Sequence, residues 1–429
     1  MHAHIQARIN AIQRGEVPEG YRKTKVGIIP SDWKVKELGD TTVKVGSGIT
    51  PNGGAKVYKK TGRPFLRSQN VGWGSLLLND IVFIDDDTHN SFSSTEIKKN
   101  DVFLNITGAS IGRSAVADER VENGNVNQHV CIIRTQENEL SPYFLNLFLL
   151  SGKGQKQIES YQAGGNRQGL NFAQIKSFKI PLPLLPEQRK IAEILSAWDD
   201  AIRLHHDLIE QKNTQKRGLM QLLLTGEKRL NGFNDNWIVT TLGNIANITM
   251  GQSPDSKDYN DSGEGKYLIQ GNADIKNRKS SPRIWTKTIT KECEIGDILM
   301  TVRAPVGAIA ISLHNACIGR GICSIKAKKV DPHFLFQLLL SFEKRWISFE
   351  QGSTFTAVNG KDIQNLKVRI PNQKIEQQKI AEILITADKE IELLEAELEH
   401  LRAQKTGLMQ LLLTGAIRMN ETFKQENLR

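Results

Sequence analysis

The sequence of 429 residues lacks the features that mark several large protein classes. It has no apolar run near the roughly 20 residues that a membrane-spanning helix needs. Its N-terminal segment MHAHIQARINAIQRG has no apolar stretch of the secretory type. The four cysteines form no CxxC pair and have no histidines at metal-site spacing; they are Cys131, Cys293, Cys317 and Cys323. These absences predict a cytoplasmic protein with idle, buried thiols and no metal site.

Motifs for nucleotide or methyl-transfer chemistry are also missing. The segment Gly108–Arg113 is one residue short of a phosphate-binding loop and lacks its lysine. A methyltransferase would need a glycine-rich cofactor loop and an NPPF-type tetrapeptide, and neither is present. Pro254-Asp255 with Glu264 and Lys266 imitates a PD…ExK nuclease pattern, but within a stretch rich in Gly, Ser and Asp. We expect no catalytic residue here, and a nuclease in the second half is the enzymatic alternative.

What the sequence does contain is a long internal repeat. Residues 187–226 recur without a gap at 376–415, always 189 positions later, and 23 of the 40 positions are identical. Both copies share KIAEIL near their start and GLMQLLLTG at their end. A repeat of this size indicates that the chain is two copies of one structural unit.

The repeated segment has the pattern of a long coiled-coil helix. Apolar residues recur every four and three positions in turn, which is a 3.5-residue period sustained over more than four heptads. Glu187 suits a first helical turn, and Gly226 and Gly415 suit the C-terminal stop. The predicted seam residues are Ile191, Leu195, Trp198, Ile202, Ile209, Leu219 and Leu223 in the first helix and Ile380, Leu384, Ile391, Leu394, Leu398, Leu401, Leu408 and Leu412 in the second.

Chain connectivity predicts that the two helices are antiparallel. Each is about 57 Å long at 1.5 Å per residue, and a parallel pair would force the segment between them to span that length. A pseudo-twofold pairing sets residue 191 opposite 412, Trp198 opposite Lys405, and Lys216 opposite Ala387. We expect these lysine stems to lie along the apolar seam while their charges reach water.

The first helix departs from the second at two seam positions. It carries His205 and Lys212 where the second helix carries Leu394 and Leu401. Both residues keep the register, so we expect only looser packing there.

The segments that precede the helices form a second, weaker repeat. Trp33 corresponds to Trp237, and Asn70 is matched to Asn272. Short β-branched runs broken by Gly, Asn and Asp indicate strands, and one helix is expected in each segment, near Pro142–Leu150 and 332–340. The predicted fold class is α+β, with two similar globular domains separated by two long antiparallel helices that form a coiled coil. The predicted parts are an N-terminal arm (1–30), a first domain (31–182), a central helical region (183–229), a second domain (230–371), a C-terminal helical region (372–415) and a tail (416–429).

Charge and loop sequences indicate a polyanionic partner. The net charge is +10 and the pI is about 9.3, which favours nucleic acid. The loop after Thr50 reads PNGGAKVYKKTGRP, whereas the loop after Ser253 reads PDSKDYNDSGEGK. The later loops 163–172 and 351–360 differ as strongly. A common scaffold with different polar loops is what two readers of different base sequences need, although drifted surface loops are the alternative.

Three segments resemble the specificity subunit of type I restriction–modification enzymes, the HsdS family. They are PLLPEQRKIA at Pro183–Ala192 with its echo at Glu376–Ala381, GIIPSDW at Gly27–Trp33, and DVFLNITGASIG at Asp101–Gly112. The second copy keeps only the outline of the last segment, with Arg303 in place of Thr107. The resemblance covers essentially the whole chain.

This resemblance implies two target recognition domains, each reading one half of a split, asymmetric DNA sequence, with the helices fixing the gap. It implies that this chain has no catalysis of its own and binds no cofactor. Modification (methyltransferase) subunits, expected as two copies, would methylate adenine with S-adenosylmethionine. Restriction subunits would use ATP and Mg²⁺ for translocation and cleavage.

Polar and basic loop residues are the predicted DNA contacts, since Lys and Arg position the protein on phosphates and other side chains specify bases. In the first domain they are Lys56, Tyr58, Lys59, Arg63, Arg67, Gln69, Asn70, Arg113, Asn166, Arg167 and Gln168. In the second they are Lys257, Tyr259, Gln270, Asn272, Lys276, Arg278, Lys279, Arg303, Thr354 and Thr356. A coiled-coil scaffold that holds two protein-binding domains without binding DNA is the alternative.

Overall fold

The structure, a computed structural model, describes residues 2–162, 169–343, 346 and 358–419. Two compact units divide the chain, one made of residues 1–204 with 398–429 and the other of residues 205–397. Each unit contains one globular domain and one half of each long helix. Over the described residues, no helix combines the length and the hydropathy that a bilayer crossing requires.

The described residues of the first unit contain eleven strands and the starts of six α-helices. The strands are β1 (Tyr21–Thr24), β2 (Gly27–Pro30), β3 (Lys34–Glu37), β4 (Thr42–Ser47), β5 (Arg63–Leu66), β6 (Val82–Ile84), β7 (Val102–Asn105), β8 (Ser114–Val116), β9 (Asn125–Val126), β10 (Val130–Thr135) and β11 (Lys179–Leu182). The helices are α1 (His2–Gln13), α2 (Asp86–Ser91), α3 (Pro142–Leu150), α4 (Gly152–Ser160), α5 (Phe172–Lys176) and the long α6 (Leu185–Leu224), which continues into the second unit.

The second unit repeats this plan. Its strands are β12 (Ile238–Thr241), β13 (Ala246–Met250), β14 (Tyr259–Asn260), β15 (Lys266–Ile269), β16 (Ile275–Lys276), β17 (Lys279–Ser280), β18 (Ile284–Thr286), β19 (Glu292–Cys293), β20 (Ile298–Thr301), β21 (Ile309–Ile311), β22 (Ala316–Ile318), β23 (Ile322–Ala327) and β24 (Lys367–Ile370). Its helices are α7 (Leu242–Ile245), α8 (Pro332–Ser341), α9 (Gly360–Gln364) and the long α10 (Lys374–Leu413).

Sheet topology confirms that the two domains share one scaffold. The sheet β4-β10-β7-β8 corresponds to the first four strands of the sheet β13-β23-β20-β21-β17-β16. The trio β6-β5-β9, with β5 and β9 parallel, corresponds to β18-β15-β22, with β15 and β22 parallel. The pair β3 and β11 corresponds to β12 and β24. The central strands β7 and β20 are buried along their whole length, which explains why each is three consecutive apolar residues followed by one polar residue, Asn105 or Thr301.

The prediction of one helix per domain was incomplete. Helix α3 has the predicted bounds, and α8 extends one residue further, to Ser341. The first domain also contains α4, whose sequence GKGQKQIES has two glycines and reads as a loop. It forms because Ser151 accepts a hydrogen bond from the Gly154 amide at 3.2 Å and Ile158 is buried in the core. Tertiary packing outweighs the low helix propensity of glycine here.

The two long helices confirm the predicted coiled-coil seam. Every predicted seam residue is buried or half-buried, and Leu195 and Leu384 are fully buried. In the first unit Ile191 and Leu412 belong to the same hydrophobic core. In the second unit Leu223 and Leu384 do the same. The helices are therefore antiparallel within each unit.

Ion pairs along the seam confirm the register to within one residue. Lys216 pairs with Asp388, next to its predicted partner, and Lys405 Nζ lies 2.5 Å from Asp199 Oδ1, next to Trp198. The stems of both lysines are mostly buried along the seam, and each ammonium group meets a partly exposed carboxylate on the facing helix, which was not predicted. The two polar seam residues of the first helix also face carboxylates of the second helix. His205 lies 3.2 Å from Glu397, and Lys212 lies 2.6 Å from Glu390.

The predicted N-terminal arm packs within the first unit, against the residues that follow the second long helix. Arg8 Nε donates to the Ala416 carbonyl at 2.8 Å, and the Tyr21 hydroxyl donates to the Gly415 carbonyl at 2.6 Å. Gly415 has a φ of +69°, and a Cβ atom there would lie 2.5 Å from Pro30. The helix stop at Gly415 therefore needs glycine both for its backbone conformation and for this close approach.

Candidate nucleic-acid interface

In the first domain, three connections meet at one end of the sheets. The turn after β5 reaches the connection between β9 and β10, where the Asn127 amide donates to the Leu66 carbonyl at 2.9 Å. Asn105 at the end of β7 donates through Nδ2 to the Ser68 carbonyl at 2.8 Å. The β7–β8 connection completes the site. Together these segments form a surface hollow of about 380 Å³ that is open to solvent. It is lined by Ser68, Gln69, Thr107, Gly108, Ala109, Ser110, Arg113 and His129.

Most of the side chains that line this hollow in the first domain carry hydrogen-bonding groups, and one of them, Arg113, is cationic. The Thr107 hydroxyl and His129 Nδ1 lie 2.6 Å apart, so each fixes the orientation of the other. His129 Nε2 lies 3.2 Å from the side-chain nitrogen of Gln128, Nε2. In the described residues no carboxylate forms an ion pair with half-buried Arg113. Hydroxyl, imidazole, amide and guanidinium groups are the partners that phosphates and base edges take.

The second domain brings the equivalent segments together. The Val302 amide donates to the Gly321 carbonyl at 2.9 Å, and the Gly319 amide donates to the Ile269 carbonyl at 2.8 Å. A Cβ atom on Gly321 would lie 2.2 Å from the Gln270 carbonyl oxygen, so these segments approach too closely for a side chain there. Arg303 and Arg320 are exposed at the edges of this cluster. Neither forms an ion pair with a carboxylate among the described residues.

The predicted contacts at residues 56–67 lie beside the hollow of the first domain and are mostly paired. Tyr58 lies 5.5 Å from the Phe65 ring, and the Arg67 guanidinium lies 5.8 Å above Tyr58. Lys59 is 3.6 Å from Asp85, and Arg63 is 2.5 Å from Asp86. Only Lys56 among these predicted contacts is exposed without an ion pair to a described carboxylate.

Asn70 supports the site from below and does not face solvent, which corrects its predicted role. Its side chain is fully buried. It accepts from the Arg67 amide at 3.0 Å and donates to the Leu77 carbonyl at 2.9 Å and to Asp80 at 2.8 Å. Asp80 also accepts hydrogen bonds from the side chains of Arg67 and Gln69, so one carboxylate fixes the whole turn.

The match of Asn70 to Asn272 was wrong. Asp274 occupies the equivalent place, because it is buried and accepts from the Gln270 amide at 2.8 Å. It also lies 3.1 Å from Arg283. The second turn is one residue longer between the end of the strand and the buried polar side chain, which is Asp274 here and Asn70 in the first domain, and this leaves Asn272 exposed.

The other predicted residues of the second domain divide between two places. Gln270 Nε2 donates to the Tyr259 hydroxyl at 2.9 Å within the loop cluster, and Lys257 lies nearby in sequence, 3.2 Å from Asp255. The β16–β17 hairpin instead carries Lys276, Arg278 and Lys279. The guanidinium of Arg278 forms a bidentate ion pair with Glu343.

Five predicted contacts, Asn166, Arg167, Gln168, Thr354 and Thr356, lie outside the described residues. Sequence reasoning also missed Gln128, His129 and Arg320. No signal in the sequence pointed to them, because Asn127-Gln128-His129 and 319–321 become equivalent only through the strands that precede them, β9 and β22, which pair in parallel with β5 and β15.

The nuclease pattern does not assemble. Glu264 pairs with Lys287 at 2.6 Å, and Lys266 pairs with Glu292 at 2.6 Å. The hydrogen bond from Lys287 lowers the pKa of Glu264. The acidic and basic residues of the pattern are therefore engaged in separate surface ion pairs.

Comparison with known proteins gives consistent matches along the chain. The family model for the type I restriction modification DNA specificity domain matches residues 30–212 and 234–403. The putative type I restriction enzyme MjaX specificity subunit of Methanocaldococcus jannaschii is 33% identical, over 94% of this chain and 97% of that protein. The MjaIX specificity subunit of the same organism is 24% identical, over 94% and 97%.

Solved structures show the same fold. A chain from a structural study of complex assembly and conformational transition of the type I R-M system superposes with a TM-score of 0.63 at 23% identity, covering 91% of this chain and 99% of that chain. The S subunit of a type I restriction–modification system from M. genitalium superposes with a TM-score of 0.58 at 16% identity, covering 89% and 96%.

Proposed function

This chain belongs to the family of type I restriction–modification DNA specificity subunits, and from that premise we propose how it recognises its target. Each globular domain binds one half of a bipartite, asymmetric sequence in duplex DNA. The long helices fix the spacing between the halves. The chain contributes recognition only, while adenine methylation and ATP-dependent cleavage reside in partner subunits that use S-adenosylmethionine, ATP and Mg²⁺.

One observation carries this proposal: equivalent loop clusters on a shared scaffold hold different side chains. The first cluster presents Gln128, His129 and Arg113, whereas the second presents Arg303 and Arg320. Equal scaffolds with unequal hydrogen-bonding groups suit two different base sequences, because base edges in the major groove differ in their donor and acceptor pattern. The net charge of +10 suits a phosphate backbone.

The helices also offer surfaces that suit the methyltransferase subunits. Leu204 and Leu393 occupy equivalent positions in the repeat and are 59% and 71% exposed. In the second unit, an apolar hollow of about 1200 Å³ lies between α6, α8 and α10, with Met220, Phe336 and Ile385 in its wall. Exposed apolar surface of this kind is typical of protein contacts. We expect Leu393→Glu to weaken assembly with the methyltransferase subunit in gel filtration, and Val239→Glu, at a site on β12 that is 70% exposed and outside the hollow, to leave it unchanged.

The alternative of a protein-binding scaffold is separated from this proposal by DNA binding. The purified chain with its methyltransferase partner should bind duplex DNA, and the affinity should fall steeply as salt rises from 50 to 200 mM, by about a thousandfold for six or more phosphate contacts. A scaffold would show no salt-dependent binding. Mg²⁺-dependent cutting of DNA by this chain alone would instead support the nuclease alternative.

A further inference from the structure

Trp73 in the first domain is exposed in a way that packing does not explain. Its side chain is 60% exposed, and it is the only exposed tryptophan among the described residues. Leaving a large aromatic surface in water forgoes the burial that normally stabilises it. The neighbouring residues are Gly72 and Gly74, so the indole stands clear of adjacent side chains.

The turn that carries Trp73 is fixed. Val71 and Leu76 pair as an antiparallel bridge at its base. The Gly72 amide donates to the Ser75 carbonyl at 2.9 Å, and the Gly74 amide donates to the Ser114 carbonyl at 2.9 Å. Gly74 has a φ of +94°, a conformation that suits glycine. The exposed indole is therefore presented from a turn that is tied to strand β8.

The same turn is connected to the hollow in two ways, through the chain that precedes it and through its bridge to β8. Ser68 and Gln69, which line the hollow, come just before the turn in the chain. Trp73 pairs with Ser114 in a parallel bridge, and the preceding residue, Arg113, lines the hollow too. The turn that carries the exposed indole is thus bridged to the residue that follows Arg113, an arginine that forms no ion pair with a described carboxylate.

The second domain carries different chemistry at the equivalent turn. Ile275 pairs with Ser280, as Val71 pairs with Leu76. Its tip is Asn277-Arg278, and the Arg278 guanidinium is bound by Glu343. The turn is thus retained in both domains, while its exposed group changes from an indole to polar and cationic side chains.

We propose that Trp73 is a specificity-determining contact for the half-site that the first domain reads, packing its indole against an apolar base feature such as the thymine methyl group. This inference rests on the proposed function. DNA is the occupant that the neighbours favour, because Arg113 and the polar hollow complement phosphate and base edges. A protein partner that covered only the apolar indole would leave the arginine without a counter-charge.

The test uses the full chain in complex with its methyltransferase partner and the duplex that the complex methylates. Trp73→Ala and Trp73→Phe are compared with Val43→Ala, whose side chain is 65% exposed on β4, at the other edge of the same sheet from β8. Dissociation constants are measured for the matched duplex and for duplexes with single base-pair changes in either half-site.

The expected result is that Trp73→Ala lowers discrimination about tenfold at one or more base pairs of the first half-site, the scale of one lost base contact. The loss of affinity caused by base-pair changes in the second half-site should stay within twofold of the wild-type loss. The discrimination by Trp73→Phe should lie between that of Trp73→Ala and that of wild type. Val43→Ala should discriminate as wild type does. Unchanged first-half penalties would overturn the inference, as would lost assembly with the methyltransferase subunit at unchanged discrimination. Failure of wild type and Val43→Ala to bind DNA at all would instead overturn the proposed function.

Discussion

The guanidinium of Arg418 donates to both carboxylate oxygens of Glu187, at 2.9 and 3.2 Å, although the two residues are 231 positions apart. Trp33 Nε1 donates to the same carboxylate at 3.2 Å. The second unit repeats this cluster, with Arg229 on Glu376 at 2.7 and 3.0 Å and Trp237 Nε1 on the same carboxylate at 3.4 Å. In each unit the arginine follows the end of one long helix, and the glutamate lies in the first turn of the other.

Removing Arg418 should destabilise the first unit strongly. The Glu187 side chain is only 1% exposed, so Arg418→Ala leaves a buried carboxylate without its cation, at a cost of about 3 kcal/mol. The measurement is urea unfolding followed by circular dichroism. Arg402→Ala is the control, since Arg402 pairs with Glu399 on the helix surface and should cost about 0.5 kcal/mol or less. Equal stability of the two variants would contradict the assigned role of Arg418.

The seam ion pair between Lys216 and Asp388 should show energetic coupling. Asp388 also accepts from Gln337 Nε2 at 2.8 Å, so it connects both long helices with α8 of the second domain. A double-mutant cycle with Lys216→Met and Asp388→Asn should give a coupling of about 1–2 kcal/mol, because the Lys216 side chain is only 16% exposed. The exposed pair Lys190 and Glu193, on one helix, serves as the control and should couple by less than about 0.5 kcal/mol. Additive effects at Lys216 and Asp388 would contradict this prediction, because they would mean that the two side chains do not stabilise each other.

The native thiols should not react. All four cysteines are buried, and burial raises the pKa of Cys131 and of Cys323 to about 12. Because both pKa values lie far above pH 8, these thiols stay protonated there, and the thiolate is the reactive form. A thiol-specific colour reagent at pH 8 should therefore label none of the four in the native protein and all four in urea. Ser256→Cys, at an exposed site, should add one fast-reacting thiol. Fast labelling of the unaltered protein would disprove the burial.

Arg303 and Arg320 of the second domain should both contribute to DNA binding, in two different ways. If Arg303 contacts a base, Arg303→Ala should cost about 1–3 kcal/mol of binding and relax discrimination at one position. If Arg320 contacts a phosphate, Arg320→Ala should weaken binding to all sequences and reduce the salt slope by about 1. The control is Arg120→Ala, since Arg120 is paired with Asp118 at 2.6 Å in the first domain. Unchanged DNA binding by both variants, or discrimination lost only in the first half-site, would contradict the assignment.

The repeat and its heptad pattern were enough to predict the coiled coil and its antiparallel register. The apolar periodicity of residues such as Leu195 and Leu384 directly encodes which face is buried. The acidic partners of the seam lysines were not predicted, because the register places Asp388 and Asp199 one position from the expected contacts, Ala387 and Trp198.

The candidate site was less predictable for a physical reason. Polar loop residues such as Asn70 and Gln69 look alike in sequence, but one is buried as a hydrogen-bonded support and the other is exposed. Buried polar side chains in loops are specified by contacts distant in sequence, here with Asp80, and no local period reveals them. Arg320 and His129 were missed because their significance depends on a parallel strand pairing, which sequence alone does not show.

The central claim is that each domain reads its own half of the target. The most direct measurement is genome-wide methylation mapping in cells that carry the whole system, before and after residues 31–182 are exchanged for the first domain of another family member. We predict that one half of the methylated sequence changes while the other half and the spacing between them stay the same. A change in both halves, or an unchanged target, would contradict the account.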